Sequence, residues 1–72
     1  MLTVRQARVL EQINYFIQTN GIPPTIRELC SLVGNKSTST MSNHLVLLQE
    51  KGYITKDFRS PRSIRVVKEY EF

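Results

Sequence analysis

The sequence predicts a small α+β fold in which three helices are followed by a two-stranded antiparallel β-hairpin. Apolar residues recur at helical spacing in three segments, and the period changes from about 3.6 to 2 after Gly52. Glycine or proline separates the segments, where helices must end. With 72 residues, the chain is expected to form one domain, residues 1–72, with residues 68–72 as a frayed tail.

The first helix is predicted from its two ends. Thr3 and Gln6 have the spacing of a capping box, and Asn20-Gly21 is a typical stop signal. Between these ends one face is expected to be apolar, with Val9, Leu10, Ile13, Phe16 and Ile17.

The second helix follows the stiff Pro23-Pro24 connector and is predicted from Thr25 to Val33. Thr25 and Glu28 form another capping box, and Gly34 ends the helix. Its expected core face consists of Ile26, Leu29, Cys30, Leu32 and Val33.

The third helix is predicted to begin at an N-cap, Ser37, and to run to about Lys51, where Gly52 closes it. Met41, Leu45 and Leu48 would form its buried stripe. Residues 53–56 and 64–67 alternate and are rich in β-branched side chains, so both are predicted strands. Residues 57–63 would form the long loop between them.

Two capped helices joined by one glycine-containing turn are typical of a helix-turn-helix, whose second helix enters the DNA major groove. A hairpin directly after that helix makes the predicted fold a winged helix-turn-helix. A winged helix-turn-helix fold does not by itself establish what a protein does.

The exposed start of the third helix carries short, uncharged side chains that can approach DNA closely. The predicted base-reading residues are Ser39, Thr40, Ser42, Asn43 and Val46. Asn43 can pair with an adenine edge, hydroxyls can bond to several bases, and Val46 can contact a thymine methyl. Lys36, Ser37 and Thr38 are predicted to contact the DNA backbone. Alternatively, Ser37 only caps the helix and the others solvate it.

A basic cluster on the predicted hairpin favours phosphate contacts. It consists of Lys56, Arg59, Arg62 and Arg65. An arginine at the tip could instead enter the minor groove. The alternative is a solvated loop in which Asp57 pairs with a neighbour.

Charge is distributed unevenly, with a net +4. Glu50 and Asp57 are the acids between residues 35 and 68, whereas that segment contains many cations: Lys36, Lys51, Lys56, Arg59, Arg62, Arg65 and Lys68. Such an asymmetry is expected of a protein that binds a polyanion, although it is also compatible with a solvated basic face.

Other function classes have little support in the sequence. One cysteine, Cys30, excludes an internal disulfide, and a core position is its simplest interpretation. His44 without nearby ligand residues is expected to be structural. Arg27 and Glu28 most simply serve helix solvation and capping, although the start of the second helix can also touch phosphate. The scattered acids predict no catalytic site, metal site, cofactor or small-molecule substrate. Without an apolar run of membrane length or a signal peptide, a cytoplasmic location is expected.

Seven blocks of the chain resemble the N-terminal domain of LexA repressors: residues 2–6, 21–29, 33–34, 37–41, 44–45, 51–54 and 60–65. The resemblance extends from Leu2 to about Val67. It implies a winged helix-turn-helix that binds palindromic operators as a dimer and represses DNA-damage-response genes.

The resemblance also implies roles for individual residues. It places Ser37, Ser39, Thr40, Ser42 and Asn43 at groove-reading positions, and Arg59 and Arg62 in the wing. Relatives tend to have larger polar or charged side chains near positions 42, 43 and 47, so the resemblance implies the mode of binding but not the operator sequence. LexA proteins continue into a self-cleaving protease domain that also dimerises. The present sequence contains none of it, which fits an excised domain or a stand-alone protein.

Two functions other than double-stranded DNA binding are compatible with the sequence. In one, Val46 and Leu47 form a docking surface for a protein partner, as in an antirepressor or assembly factor. In the other, Phe58 stacks on single-stranded nucleic acid, which would require more exposed aromatic residues. Because no heptad or large apolar patch is apparent, the chain is expected to be a weakly associating monomer that pairs on its operator.

Overall fold

The computed structural model describes residues 2–34, 37–57 and 59–68. It shows three helices followed by a two-stranded antiparallel sheet, which confirms the predicted fold class. The elements are α1 (Val4–Asn20), α2 (Ile26–Val33), α3 (Thr38–Glu50), β1 (Ile54–Thr55) and β2 (Arg65–Val66).

Side-chain caps fix where the helices begin. In the first capping box, Thr3 Oγ1 accepts from the Gln6 amide at 3.1 Å, and Gln6 Oε1 accepts from the Thr3 amide at 3.1 Å. Thr25 and Glu28 form the second box at the start of α2. Ser37 caps α3 by accepting from the Thr40 amide at 3.3 Å. All three predicted N-caps are therefore confirmed.

The end of α3 shows why Gly52 is needed there. The Gly52 amide donates to Gln49 O, and the Tyr53 amide donates to Leu48 O, both at 3.0 Å. This paired arrangement requires a left-handed residue, and Gly52 has φ +83°. The chain consequently turns directly from α3 into β1.

One core joins all five elements. Its buried residues from α1 and α2 include Val9, Leu10, Ile13, Leu29 and Cys30, and α3 contributes Met41, Leu45 and Leu48. Ile54 and Ile64 add the sheet to this cluster, with 1% and 0% of their surfaces exposed. Because α3 is fixed along its buried stripe, its opposite face is held towards solvent.

Two residues that the sequence places on the buried faces of their helices lie at the edges of those faces in the structure. Leu32 is 40% exposed, so its assignment to the core was wrong, and Phe16 is only half-buried. At 3.6 residues per turn, Leu32 lies to one side of the stripe formed by Ile26, Leu29, Cys30 and Val33. Conversely, the core includes a polar residue that was not predicted. Gln6 is 5% exposed and accepts from Lys51 Nζ at 2.9 Å.

The regular strands are shorter than the predicted 53–56 and 64–67. The register pairs Ile54 with Val66 and Thr55 with Arg65. Beyond Thr55, Ser63 Oγ accepts from the Asp57 amide at 2.9 Å and lies 2.8 Å from Asp57 O. This side chain takes the place of a cross-strand backbone partner, so the ladder ends and the loop begins.

Residues 67 and 68 are bonded to the residue before β1, although the sequence predicts a frayed tail from residue 68. The amides of Val67 and Lys68 donate to Tyr53 O at 2.8 and 3.2 Å, and Lys68 Nζ lies 5.2 Å from the centre of the Tyr53 ring. Lys68 therefore packs on the sheet. The rest of the predicted frayed tail, residues 69–72, lies outside the described residues.

Candidate nucleic-acid interface

The predicted base-reading residues share the solvent face of α3. Ser39, Thr40, Asn43 and Val46 are exposed, and Ser42 is half-buried. These five residues are named the reading row. With a rise of about 1.5 Å per residue, the row extends roughly 10 Å, comparable to about three base-pair steps of 3.4 Å.

The first turn of α3 is suited to an anion. Ser37 and Thr38 are exposed, and this turn contains no acidic residue. The first backbone amides of a helix have no acceptor within it, and they lie at the positive end of the helix dipole. A phosphate could therefore bind here without a competing carboxylate from the same turn.

A buried contact positions this helix end relative to α2. Cys30 is 8% exposed, and its Sγ lies 3.7 Å from the carbonyl oxygen of Ser37. The cysteine is thus a small core residue with a weak donor, as expected. Asn35 and Lys36 lie outside the described residues, so the contact of Lys36 with the DNA backbone remains a prediction.

The hairpin and its loop form the wing, of which the structure describes residues 54–57 and 59–66. Arg65 is exposed on β2, and Lys56 is half-buried at the start of the loop. Arg59 is almost fully exposed at 93%, and its Nε lies 3.4 Å from Asp57 Oδ1. An ion pair this exposed contributes little stability, so it leaves Arg59 available to a stronger anion.

Arg62 has a role that the sequence did not indicate. Its Nη1 and Nη2 donate to Glu28 Oε1 and Oε2 at 2.9 and 3.1 Å, and Nη1 also donates to Pro23 O at 2.9 Å. These contacts, named the Arg62 latch, join the wing to the start of α2. The sequence predicts a phosphate contact for Arg62 and a capping role for Glu28, and in the structure these two residues bind each other.

The latch lowers the pKa of the Glu28 carboxyl group. Hydrogen bonds from Arg62, and then from the Thr25 amide, hold the pKa of Glu28 below its usual value, against a smaller opposing effect of desolvation. Glu28 therefore stays ionised and paired at neutral pH. Its negative charge is compensated at the edge of the basic surface.

The Glu28→Gln variant is expected to be less stable than the parent protein at pH 7, with a difference that disappears in acid. A lowered folded-state pKa contributes stability above the ordinary value of 4.5, and this is lost as the pH falls through the folded-state pKa. Urea denaturation at both pH values measures the difference. The control is Glu50→Gln, at an exposed position of α3. A Glu28→Gln difference that did not change with pH would contradict the latch.

The described part of the chain offers few features of other site classes. Within residues 2–34, 37–57 and 59–68, no three His, Cys, Asp or Glu residues are grouped so that they could hold a metal ion. None of the described helices has the length and apolar character needed to cross a membrane. Phe58, the candidate for base stacking, lies outside the described residues.

Comparison with known proteins identifies a family that the sequence matches. The model of the LexA DNA-binding domain family matches residues 1–63. Similar relatives include LexA repressors from Staphylococcus haemolyticus, 46% identical over 68 residues, and Caldicellulosiruptor saccharolyticus, 47% identical over 66 residues. These alignments cover 94% and 92% of this chain and 33% of each relative.

A LexA repressor from Staphylococcus aureus is 46% identical over 66 residues, which cover 92% of this chain and 32% of that protein. The chain thus spans about a third of the length of the relatives it matches. The matched residues include α1, α2, α3 and β1. This chain belongs to the LexA DNA-binding domain family.

Proposed function

We propose that this chain is a sequence-specific, double-stranded DNA-binding domain of a transcriptional repressor. In this proposal α3 enters the major groove and the wing lies on the phosphate backbone. The observation that supports it most is that a solvent-facing, uncharged polar helix surface and a wing with exposed cations occur together in a member of this family. Bases are read by hydrogen bonds and apolar contacts, whereas phosphates mainly position the protein.

The reading row provides suitable groups for base edges. Asn43 can form two hydrogen bonds with adenine, while Ser39, Thr40 and Ser42 offer hydroxyls that donate or accept. Val46, which is 37% exposed, can contact a thymine methyl. We propose these five residues as the determinants of base preference.

The proposed backbone contacts come from two parts of the chain. Ser37, Thr38 and Lys36 would bind phosphate at the start of α3, and Lys56, Arg59 and Arg65 would bind it from the wing. Arg62 has two remaining N–H donors out of five, because three are used in the latch. It can therefore touch phosphate while continuing to hold the wing.

We also propose, as the resemblance to LexA repressors implies, that the chain represses DNA-damage-response genes at palindromic operators in the cytoplasm. We propose that two copies pair weakly and chiefly on DNA. No cofactor is required for such binding.

A protein-docking role is less favoured. Val46 and Leu47 are 37% and 39% exposed and are consecutive residues of α3. However, the polar residues of the row adjoin them, and the wing carries exposed arginines. Cations and short polar side chains suit DNA better than an apolar protein partner.

Affinity for duplexes recovered from a random library is expected to fall as salt rises. The logarithm of the association constant should decrease linearly with that of the salt concentration, by about 0.9 for each phosphate contact. Fluorescence anisotropy over a salt series measures this slope, and a scrambled duplex of equal length is the control. Equal affinity for both duplexes, or binding insensitive to salt, would contradict the proposal.

A further inference from the structure

An open groove of about 430 Å³ lies between the first turn of α2 and the wing. Arg27 lines it from α2, while Lys56 and Arg59 line it from the wing. Ile26 and Pro61 give it apolar surface against which the long arginine stems can lie. The groove is separate from the reading row, since none of the five row residues lines it.

The groove is cationic and its neighbouring acids are compensated. The lining residues that the structure describes include no carboxylate. Close by along the chain, Asp57 faces Arg59 and Glu28 is held by Arg62. Arg27 itself is exposed and makes no ion pair with any residue that the structure describes. An anion entering the groove would therefore meet positive charge from two elements.

Backbone donors add to the charge on the α2 side. The capping box occupies the amides of Thr25 and Glu28. The amides of Ile26 and Arg27, between them, belong to the first turn and have no acceptor within α2. The Arg62 latch holds the wing at this helix end, so the two walls of the groove stay opposite each other.

We propose that this groove binds one phosphodiester group of the DNA backbone, with Arg27, Lys56 and Arg59 as its ligands. The inference rests on the proposed DNA binding and extends it in two ways. It gives Arg27 a role in binding, and it makes α2 and the wing act on the same phosphate. The contact would fix the wing on the backbone while α3 reads the bases.

The Arg27→Gln variant tests the proposal against a matched control, Arg5→Gln. Arg5 is an exposed arginine in the first turn of α1, where the adjacent Gln6 accepts from Lys51 beyond the C-terminal end of α3. Arg27→Gln should weaken binding to selected and scrambled duplexes alike, on the order of tenfold, and should reduce the salt slope by about 0.9. Arg5→Gln should leave both quantities unchanged, and thermal melting establishes that both variants are folded.

Neutral methylphosphonates placed one at a time in the duplex identify the phosphate. At one position per half-site, the neutral linkage should lower the affinity of the parent protein. The same linkage should not further lower the affinity of Arg27→Gln, which already lacks that contact. Parent-like affinity and salt slope in Arg27→Gln, or equal sensitivity of both proteins at every position, would overturn the groove assignment. If the parent protein bound no duplex, the proposed function itself would fail, and the two failures are thus distinguishable.

Discussion

Replacing Leu45 with alanine is expected to lower the free energy of unfolding by about 2–5 kcal/mol. Leu45 is completely buried on the inner face of α3, within the core shared with α1, α2 and the sheet. At about 0.05–0.15 kcal/mol per residue, a domain of 72 residues has only about 4–11 kcal/mol in total. The substitution would therefore remove a large part of the stability and loosen the helix that carries the reading row.

Leu47→Ala is the matched control for this prediction. It makes the same chemical change two residues further along α3, at a position that is 39% exposed. Its effect on stability should remain within about 0.5 kcal/mol. Urea denaturation of both variants measures the contrast. Equal losses would show that the buried and exposed faces of α3 have been assigned incorrectly.

Asn43→Ala is expected to remove discrimination at one base pair of the bound site. A bidentate contact to adenine contributes about 1–3 kcal/mol of discrimination, roughly five- to 150-fold in affinity. Because Asn43 is exposed, stability should change little. Anisotropy titrations with four duplexes that differ at a single base pair measure the preference.

Gln49→Ala controls for the loss of an amide from α3. Gln49 is exposed near the C-terminal end of the helix and lies outside the reading row. Its removal should leave the base preference unchanged. Uniform weakening of all four duplexes by Asn43→Ala would assign Asn43 to backbone contact, and a changed preference in Gln49→Ala would place the reading surface elsewhere.

Features set by neighbouring residues could be predicted from the sequence. Each capping box joins a threonine to the third residue after it, and Gly52 ends α3 through amides of adjacent residues. The exposure of Ser39 and Asn43 follows from helical periodicity once the buried stripe is known. These signals determined the order of elements and the direction in which α3 faces.

Contacts between distant residues could not be predicted in this way. Arg62 is 34 residues from Glu28 and 39 from Pro23, and Gln6 is 45 residues from Lys51. No local sequence pattern indicates which distant residues will be in contact. The latch, the burial of Gln6 and the groove are therefore visible only in the folded structure. Likewise, Ser63 shortens the strands through a side-chain contact that strand periodicity does not encode.

Backbone amide shifts during titration with a selected duplex locate the surface of the protein that contacts DNA. We expect the largest shifts in residues 37–47 and 56–65 and at Arg27, where α3, the wing and the groove contact DNA. Residues on the exposed side of α1, such as Val4 and Tyr15, should change little. Shifts concentrated on α1, or no shifts at DNA concentrations that saturate the anisotropy signal, would contradict this expectation.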